Sequence, residues 1–107
     1  MIFGGTILAT NLRGRLIELA GQKHVPIIAS NAIMADAGAL FAYGTFLPDL
    51  LRRSALLVDK ILKGAKPADI AVEQPTLFEL VVNLKVARAL GIAIPRSFLL
   101  RADRVIE

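Results

Sequence analysis

The sequence predicts an α/β domain with a small, mainly parallel sheet flanked by helices. Three observations lead there. Short apolar runs at Ile2 to Ala9, Val25 to Ala29, Leu40 to Tyr43 and Leu77 to Val82 have the length and character of buried strands. Between them lie stretches with apolar residues at a three-and-four step, the period of a helix that faces a core. The succession of strand, helix and strand from Ile2 to Ala29 makes a crossover unit, whose strands are parallel and whose connection is right-handed.

Each element has local marks. Thr10 or Asn11 can cap a first helix whose apolar face is Leu12, Leu16, Ile17, Leu19 and Ala20, with Arg13, Arg15, Glu18 and Lys23 on its solvated side and Gly21 near its end. His24-Val25-Pro26 turns the chain into the second strand, and a short helix from Ala32 to Ala37 follows. Leu40 to Tyr43 makes the third strand, ended by Gly44. The longest helix runs from Leu47 to Lys63, with Pro48 in its first turn, Asp49 near its positive end, Asp59 four residues before Lys63, and Gly64 as a left-handed cap. Its apolar face is Leu47, Leu50, Leu51, Ser54, Ala55, Val58, Ile61 and Leu62. Lys66-Pro67 and Gln74-Pro75 bracket an extended crossing. Asn83 caps a helix from Leu84 to Leu90 that Gly91 stops, and Pro95 opens a last helix to Ile106, with Phe98, Leu99, Ala102, Val105 and Ile106 on one side.

At 107 residues the chain allows one domain with a core but not two full lobes. With 55% hydrophobic and 21% charged residues, disorder is excluded. The net charge of +4, from 13 basic and 9 acidic residues, is spread along the helices without a basic block, which speaks against nucleic acid as a partner. No cysteine is present and His24 is the lone histidine, so thiolate metal sites and most triad chemistry are excluded; no metal or cofactor is expected. The Gly4-Gly5 pair has neither the later Gly-Lys-Ser/Thr of a phosphate loop nor the three spaced glycines of a dinucleotide site. Asp36 sits in the least charged stretch, Val25 to Leu47, and with Pro26, Asn31, Gly38 and Gly44 it argues for short buried strands instead of a membrane span.

The residues VDKILKGAKPADIAVEQPTLFELVVNLKVARALGIAIP, with AGALFAYGTFLPDLLRR upstream, closely resemble the C-terminal portion of ABC-transporter substrate-binding proteins of the type I periplasmic binding fold. The resemblance covers about Arg13 to Glu107 and is loose over the first dozen residues. It implies two Rossmann-like lobes joined by a hinge around a small ligand, in a protein about two to three times this length. The chain is then expected to be a partial, truncated lobe, with residues 1–44 the strand-helix-strand-helix-strand portion of the C-terminal lobe. Residues 45–107 would supply a hinge-crossing helix, a strand and C-terminal helices, and the strand after Tyr43 could lie in another sheet. The start MIFGGTILATNLR lacks the basic leader and cleavage site of the signal peptide that a periplasmic or other extracytoplasmic location implies for the family.

Four residues are candidates for ligand binding: Ser30, Asn31, Tyr43 and Gly44. Ser30 and Asn31 follow the second strand directly, and ligands of open parallel sheets sit at the carboxyl ends of strands. The alternative is that one of them caps the helix from Ala32. Tyr43 either stacks on or hydrogen-bonds a ligand from the cleft wall, or is a half-buried aromatic with a surface hydroxyl. Gly44 also suits a backbone position that a side chain would forbid. His24 reads as a capping or surface residue, and Arg52-Arg53 as a solvated helix face paired with Asp49. Asp36, Asp49, Asp59 and Asp69 have no local pairing suited to acid/base work, so no catalytic residue is expected.

Two functions compete on these grounds. One is a solute-binding component of an ABC importer, taking an amino acid or similar small molecule between two lobes and docking on a permease subunit. The other is a module that binds no ligand and self-associates, as a homo-oligomer that exchanges its C-terminal half about the crossing from Lys66 to Pro75.

Overall fold

A computed structural model describes residues 2–3, as backbone, and 6–107. The elements in order are β1 (Ile2–Phe3), α1 (Ile7–Asn11), α2 (Arg13–Gln22), β2 (Ile28–Ala29), α3 (Ala32–Ala37), β3 (Phe41–Thr45), α4 (Leu47–Leu62), β4 (Phe78–Asn83), α5 (Leu84–Leu90), α6 (Arg96–Leu99) and β5 (Arg104–Ile106). They fall into two compact units. One holds the chain up to Gly44 together with Glu79–Glu107, and the other is Thr45–Phe78.

The first unit is an α/β layer structure on one five-stranded sheet of order β1-β2-β3-β4-β5. β1 pairs in parallel with β2 through Ile2↔Ile28, β2 with β3 through Ala29↔Ala42, and β4 with β5 through Val82↔Val105. β4 therefore belongs to the same sheet as the earlier strands, not to another. The core consists of Ile27, Ala29, Met34, Ala35, Ala39, Ala42 and Val81, with Ile17, Ala20, Ala32 and Ile106 packed against it. Four of these seven are alanines, which let backbone elements approach closely. Of the apolar face expected on α2, Leu16, Ile17 and Ala20 turn inward while Leu12 and Leu19 are about half exposed.

Asn83 joins four pieces of this unit. It is buried, and its backbone N–H donates to the Leu40 carbonyl at 2.8 Å. Its Oδ1 accepts the Val86 N–H at 3.1 Å, capping α5, and its Nδ2 donates to the Ala35 carbonyl of α3 at 3.0 Å. Gly91 ends α5 at φ +68°, where the Ile92 N–H returns to the Ala87 carbonyl at 2.9 Å.

Three expected elements differ from the structure. The strand from Ile2 to Ala9 ends at Phe3; residues 4 and 5 lie outside the described residues, and Thr6 Oγ1 accepts the Ala9 N–H at 3.2 Å to start α1. A threonine cap has turned the apolar run into helix, so Thr10 and Asn11 are not the caps. The strand from Val25 shrinks to Ile28–Ala29, because the Val25 N–H closes the end of α2 on the Ala20 carbonyl at 2.9 Å and Pro26 has no N–H. His24 takes the left-handed cap position there at φ 52°, a place more often held by glycine. The closing helix stops at Leu99, and Arg104–Ile106 is a strand. Asp103 is the cause: its N–H donates to the Leu80 carbonyl at 2.8 Å and its Oδ2 accepts the Leu80 N–H at 2.7 Å, which starts pairing with β4. Phe98 packs edge-on against Phe41 of β3, with ring centroids 5.5 Å apart.

In the second unit α4 starts where predicted and ends one residue earlier, at Leu62 with Lys63 as its C-cap; Pro48 lies in its first turn and Gly64 is at φ +105°. The Phe46 N–H bonds the Leu77 carbonyl at 2.9 Å, bringing the two ends of the unit together. One helical turn at Pro67–Asp69 interrupts the crossing. The face of α4 held by the crossing is Asp49 and Arg53: the Arg53 guanidinium reaches Asp49 at 2.8 Å, Thr76 Oγ1 at 2.8 Å and Glu73 at 3.7 Å. The apolar face of α4 is open, with Leu51 62%, Val58 54% and Leu62 81% exposed.

The Asn83 network predicts a graded loss of stability. Asn83→Ala removes the cap on the part-buried Val86 N–H and one of the two bonds to the Ala35 carbonyl, which keeps the Gly38 N–H at 3.1 Å, and should cost about 1–3 kcal/mol in urea unfolding. Asn83→Ser keeps the cap but not the reach to Ala35 and should cost roughly half as much. Equal stability of all three proteins would contradict this role.

Candidate functional site

The carboxyl end of β2 and the neighbouring end of β3 form one edge. Since Ala29 is in register with Ala42, the next residues, Ser30-Asn31 and Tyr43-Gly44, lie side by side beyond the paired segment. The four candidates are thus brought together from two places in the sequence. Asn31 caps α3, its Oδ1 accepting the Met34 N–H at 3.1 Å, so the capping reading holds for it and its NH2 is the group it can offer elsewhere. Ser30 is half-buried, and Tyr43 is 59% exposed.

Gly44 has an ordinary φ, so conformational freedom is not what it supplies. A methyl group on its Cα would overlap the Ser30 carbonyl oxygen. The position requires glycine because two stretches of main chain meet there. What the edge presents is a hydroxyl, a carboxamide and a phenol: hydrogen-bonding groups and one aromatic face, with no nucleophile and base pair among them.

The charged groups lie elsewhere. Arg104 of β5 holds Asp36 of α3 with two bonds, of 2.7 and 3.0 Å. The Arg104 hydrogen bond lowers the Asp36 carboxyl below its ordinary value, and the same bond raises Arg104. The members of this pair are 68 residues apart, so no local pattern in the sequence marks it. In the second unit the hydrogen bond from Arg52, seconded by Arg53, lowers Asp49. Arg52 is 74% exposed, as a solvated face implies, whereas Arg53 is tied into the crossing. A groove of about 180 Å³ beside it, lined by Arg53, Leu56, Leu57, Asp59, Lys60 and Glu73, is smaller than ordinary ligand pockets. His24 is exposed at its turn. Among the described residues no group of three His, Asp or Glu is placed to hold a metal ion, and no helix is long and apolar enough to cross a membrane.

The strand ends of this parallel sheet thus carry uncharged polar and aromatic groups. The family model for ABC transporter substrate-binding proteins matches residues 2–106, and the chain belongs to that family. The match includes the first dozen residues, where the sequence resemblance is loose. The family is extracytoplasmic and its members bind solutes. Among solved structures, the chain is similar to an ABC domain in complex with L-Trp from Streptococcus pneumoniae, with 29% identity and a TM-score of 0.91 over 98% of this chain and 36% of that one. It is also similar to a conserved domain protein from Vibrio cholerae, with 25% identity and a TM-score of 0.93 over 97% of this chain and 35% of that one. A ligand-free, open substrate-binding protein with adhesive properties from Clostridium difficile, at 22% identity and a TM-score of 0.64 over 98% of this chain and 35% of that one, shares the fold. The chain thus spans about a third of the length of these structures. No curated protein matches the sequence.

The Asp36–Arg104 pair sets a pH dependence. A carboxyl whose folded value is lowered contributes stability above its unfolded value, and that contribution is lost as the pH falls through the folded value. Both side chains are about half exposed, so the contribution is at most about 0.5 kcal/mol. NMR titration should find the Asp36 carboxyl below the ordinary aspartate range, and returned toward it by Arg104→Gln. An unshifted Asp36 in the native protein would contradict the pairing.

Proposed function

We propose that the chain is part of a solute-binding protein of an ABC import system. It contributes one wall of a cleft between two lobes, in which Ser30, Asn31, Tyr43 and Gly44 face an amino acid or similar small molecule. The observation that carries this reading is the meeting of those four residues at the carboxyl ends of two adjacent parallel strands, in a chain of this family. The L-tryptophan in the pneumococcal relative supports an amino acid as the solute. Tyr43 supplies a face for an apolar or aromatic side chain, and the Ser30 hydroxyl and Asn31 NH2 supply polar anchors. Binding followed by docking on a permease subunit involves no covalent chemistry, and the work is done outside the cytoplasmic membrane.

The open face of α4 favours a second reading. Leu47, Leu51, Val58 and Leu62 form an exposed stripe, which in a two-lobe protein would pack partly against the rest of that protein. In the chain by itself, a second copy is the simplest cover. A symmetric dimer buries the stripe against its own counterpart, and exchange about the segment from Lys66 to Pro75 is its extended form.

Two measurements test these readings. Titration of the labelled chain with L-tryptophan should give weak, roughly millimolar binding, with amide shifts centred on Ala29–Asn31 and Tyr43–Gly44, since half a cleft forgoes much of the burial that gives small-molecule sites affinity. Micromolar binding by a verified monomer, or shifts confined to the α4 unit, would contradict the two-lobe site. Light scattering across a dilution series should show a dimer that Leu51→Lys dissociates; a single-chain mass at every concentration would contradict self-association.

A further inference from the structure

Gly44 is the last residue of the first unit before the chain passes into the second, and its neighbour is main chain. A methyl group on its Cα would overlap the Ser30 carbonyl oxygen, and would lie 2.7 Å from the Ser30 carbonyl carbon and 3.4 Å from its Cα. Main-chain atoms cannot swing aside as the end of a flexible side chain can. Ser30 is held from its other sides as well. Ala29 before it is paired in the sheet with both Phe3 and Ala42, and Asn31 after it is bonded to the Met34 N–H. α3 is fixed in turn by Asn83, which bonds the Ala35 carbonyl from the end of β4, the strand by which the chain returns to the first unit.

We infer that Gly44 is a positioning residue for the Ser30–Asn31 loop: its bare Cα seats the Ser30 carbonyl and so fixes where the Ser30 hydroxyl and the Asn31 carboxamide are presented. The functional meaning of this role rests on the solute site proposed above. Besides facing the cleft itself, Gly44 then acts on the solute through Ser30. Any side chain at position 44 pushes the loop away from the strand edge and pulls Asn31 from its cap on α3.

The test compares Gly44→Ala with Gly91→Ala, a control that strains a left-handed glycine where an added Cβ meets no neighbour. In Gly44→Ala, the amide signals of Ser30, Asn31 and Met34 should move more than those of β4 and β5, and the Met34 amide should exchange at least about tenfold faster as its bond to Asn31 is lost. In Gly91→Ala those three signals should stay in place. A folded Gly44→Ala protein with native signals from Ser30 to Met34, or the same changes in both variants, would overturn the inference. If Gly44→Ala does not fold, the native protein decides: a nuclear Overhauser contact between the Gly44 Hα protons and the Asn31 amide supports the seat, and its absence overturns it. Titrating the same samples with L-tryptophan separates the two claims. A displaced loop, with no tryptophan binding in the native protein, supports the role of Gly44 and counts against the solute reading. Native binding weakened at least about tenfold by Gly44→Ala supports both.

Discussion

The first unit depends on a constraint that a single buried carboxamide satisfies. Asn83 has little access to water, so its donors and acceptor must all find partners within the protein. The side chain finds them on α3 and α5, through Ala35 and Val86, while the main-chain N–H bonds Leu40 just before β3. The register of β4, the start of α5 and the position of α3 are therefore not independent choices. The small core fits this arrangement: alanines at 29, 35, 39 and 42 bury little area each, and a close helix-on-sheet approach needs polar groups that match when it closes.

α3 is held by an asparagine at each end, by Asn31 at its start and by Asn83 near its finish. The same Asn31 belongs to the strand edge that faces solute in our proposal. Structural and binding roles thus converge on one short helix, which explains why the capping and ligand readings of Asn31 need not exclude each other: the oxygen serves the helix and the NH2 remains for other work. Both connections between the units bear on this region, one through Gly44 on Ser30 and the other through β4 and Asn83. The fold thereby gives the loop a fixed geometry, which a binding wall requires.

Much of the fold was legible because local chemistry decides helix ends. Pro48 and Gly64 mark α4, Asn31 opens α3, and Asn83 and Gly91 bound α5; in each case the signal lies within a few residues of the event. The failures have the opposite character. Asp103 turns the last segment into a strand by pairing with Leu80, and Asp36 finds Arg104 across the chain, both being tertiary contacts that no helical period reveals. Thr6 was overlooked because the apolar run around it suited a strand equally well. Of the candidate site, the positions of Ser30 and Asn31 followed from the rule about strand ends, and Tyr43 and Gly44 from the adjacent strand. The reason for a glycine at 44 was not legible, since it is a close approach of main chain and not a turn conformation. The apolar face of α4 was legible from its period, which identifies a face that needs cover without supplying the cover, and that face is open.

In our proposal the carboxyl edge of β2 and β3 is the surface that meets a solute. Intermolecular nuclear Overhauser spectroscopy on the chain, with L-tryptophan in excess, tests it most directly. Contacts are expected from the indole protons to the Tyr43 ring and the Asn31 side chain. Contacts confined to the groove beside Arg53 and Glu73, with none at Tyr43 or Asn31, would contradict it.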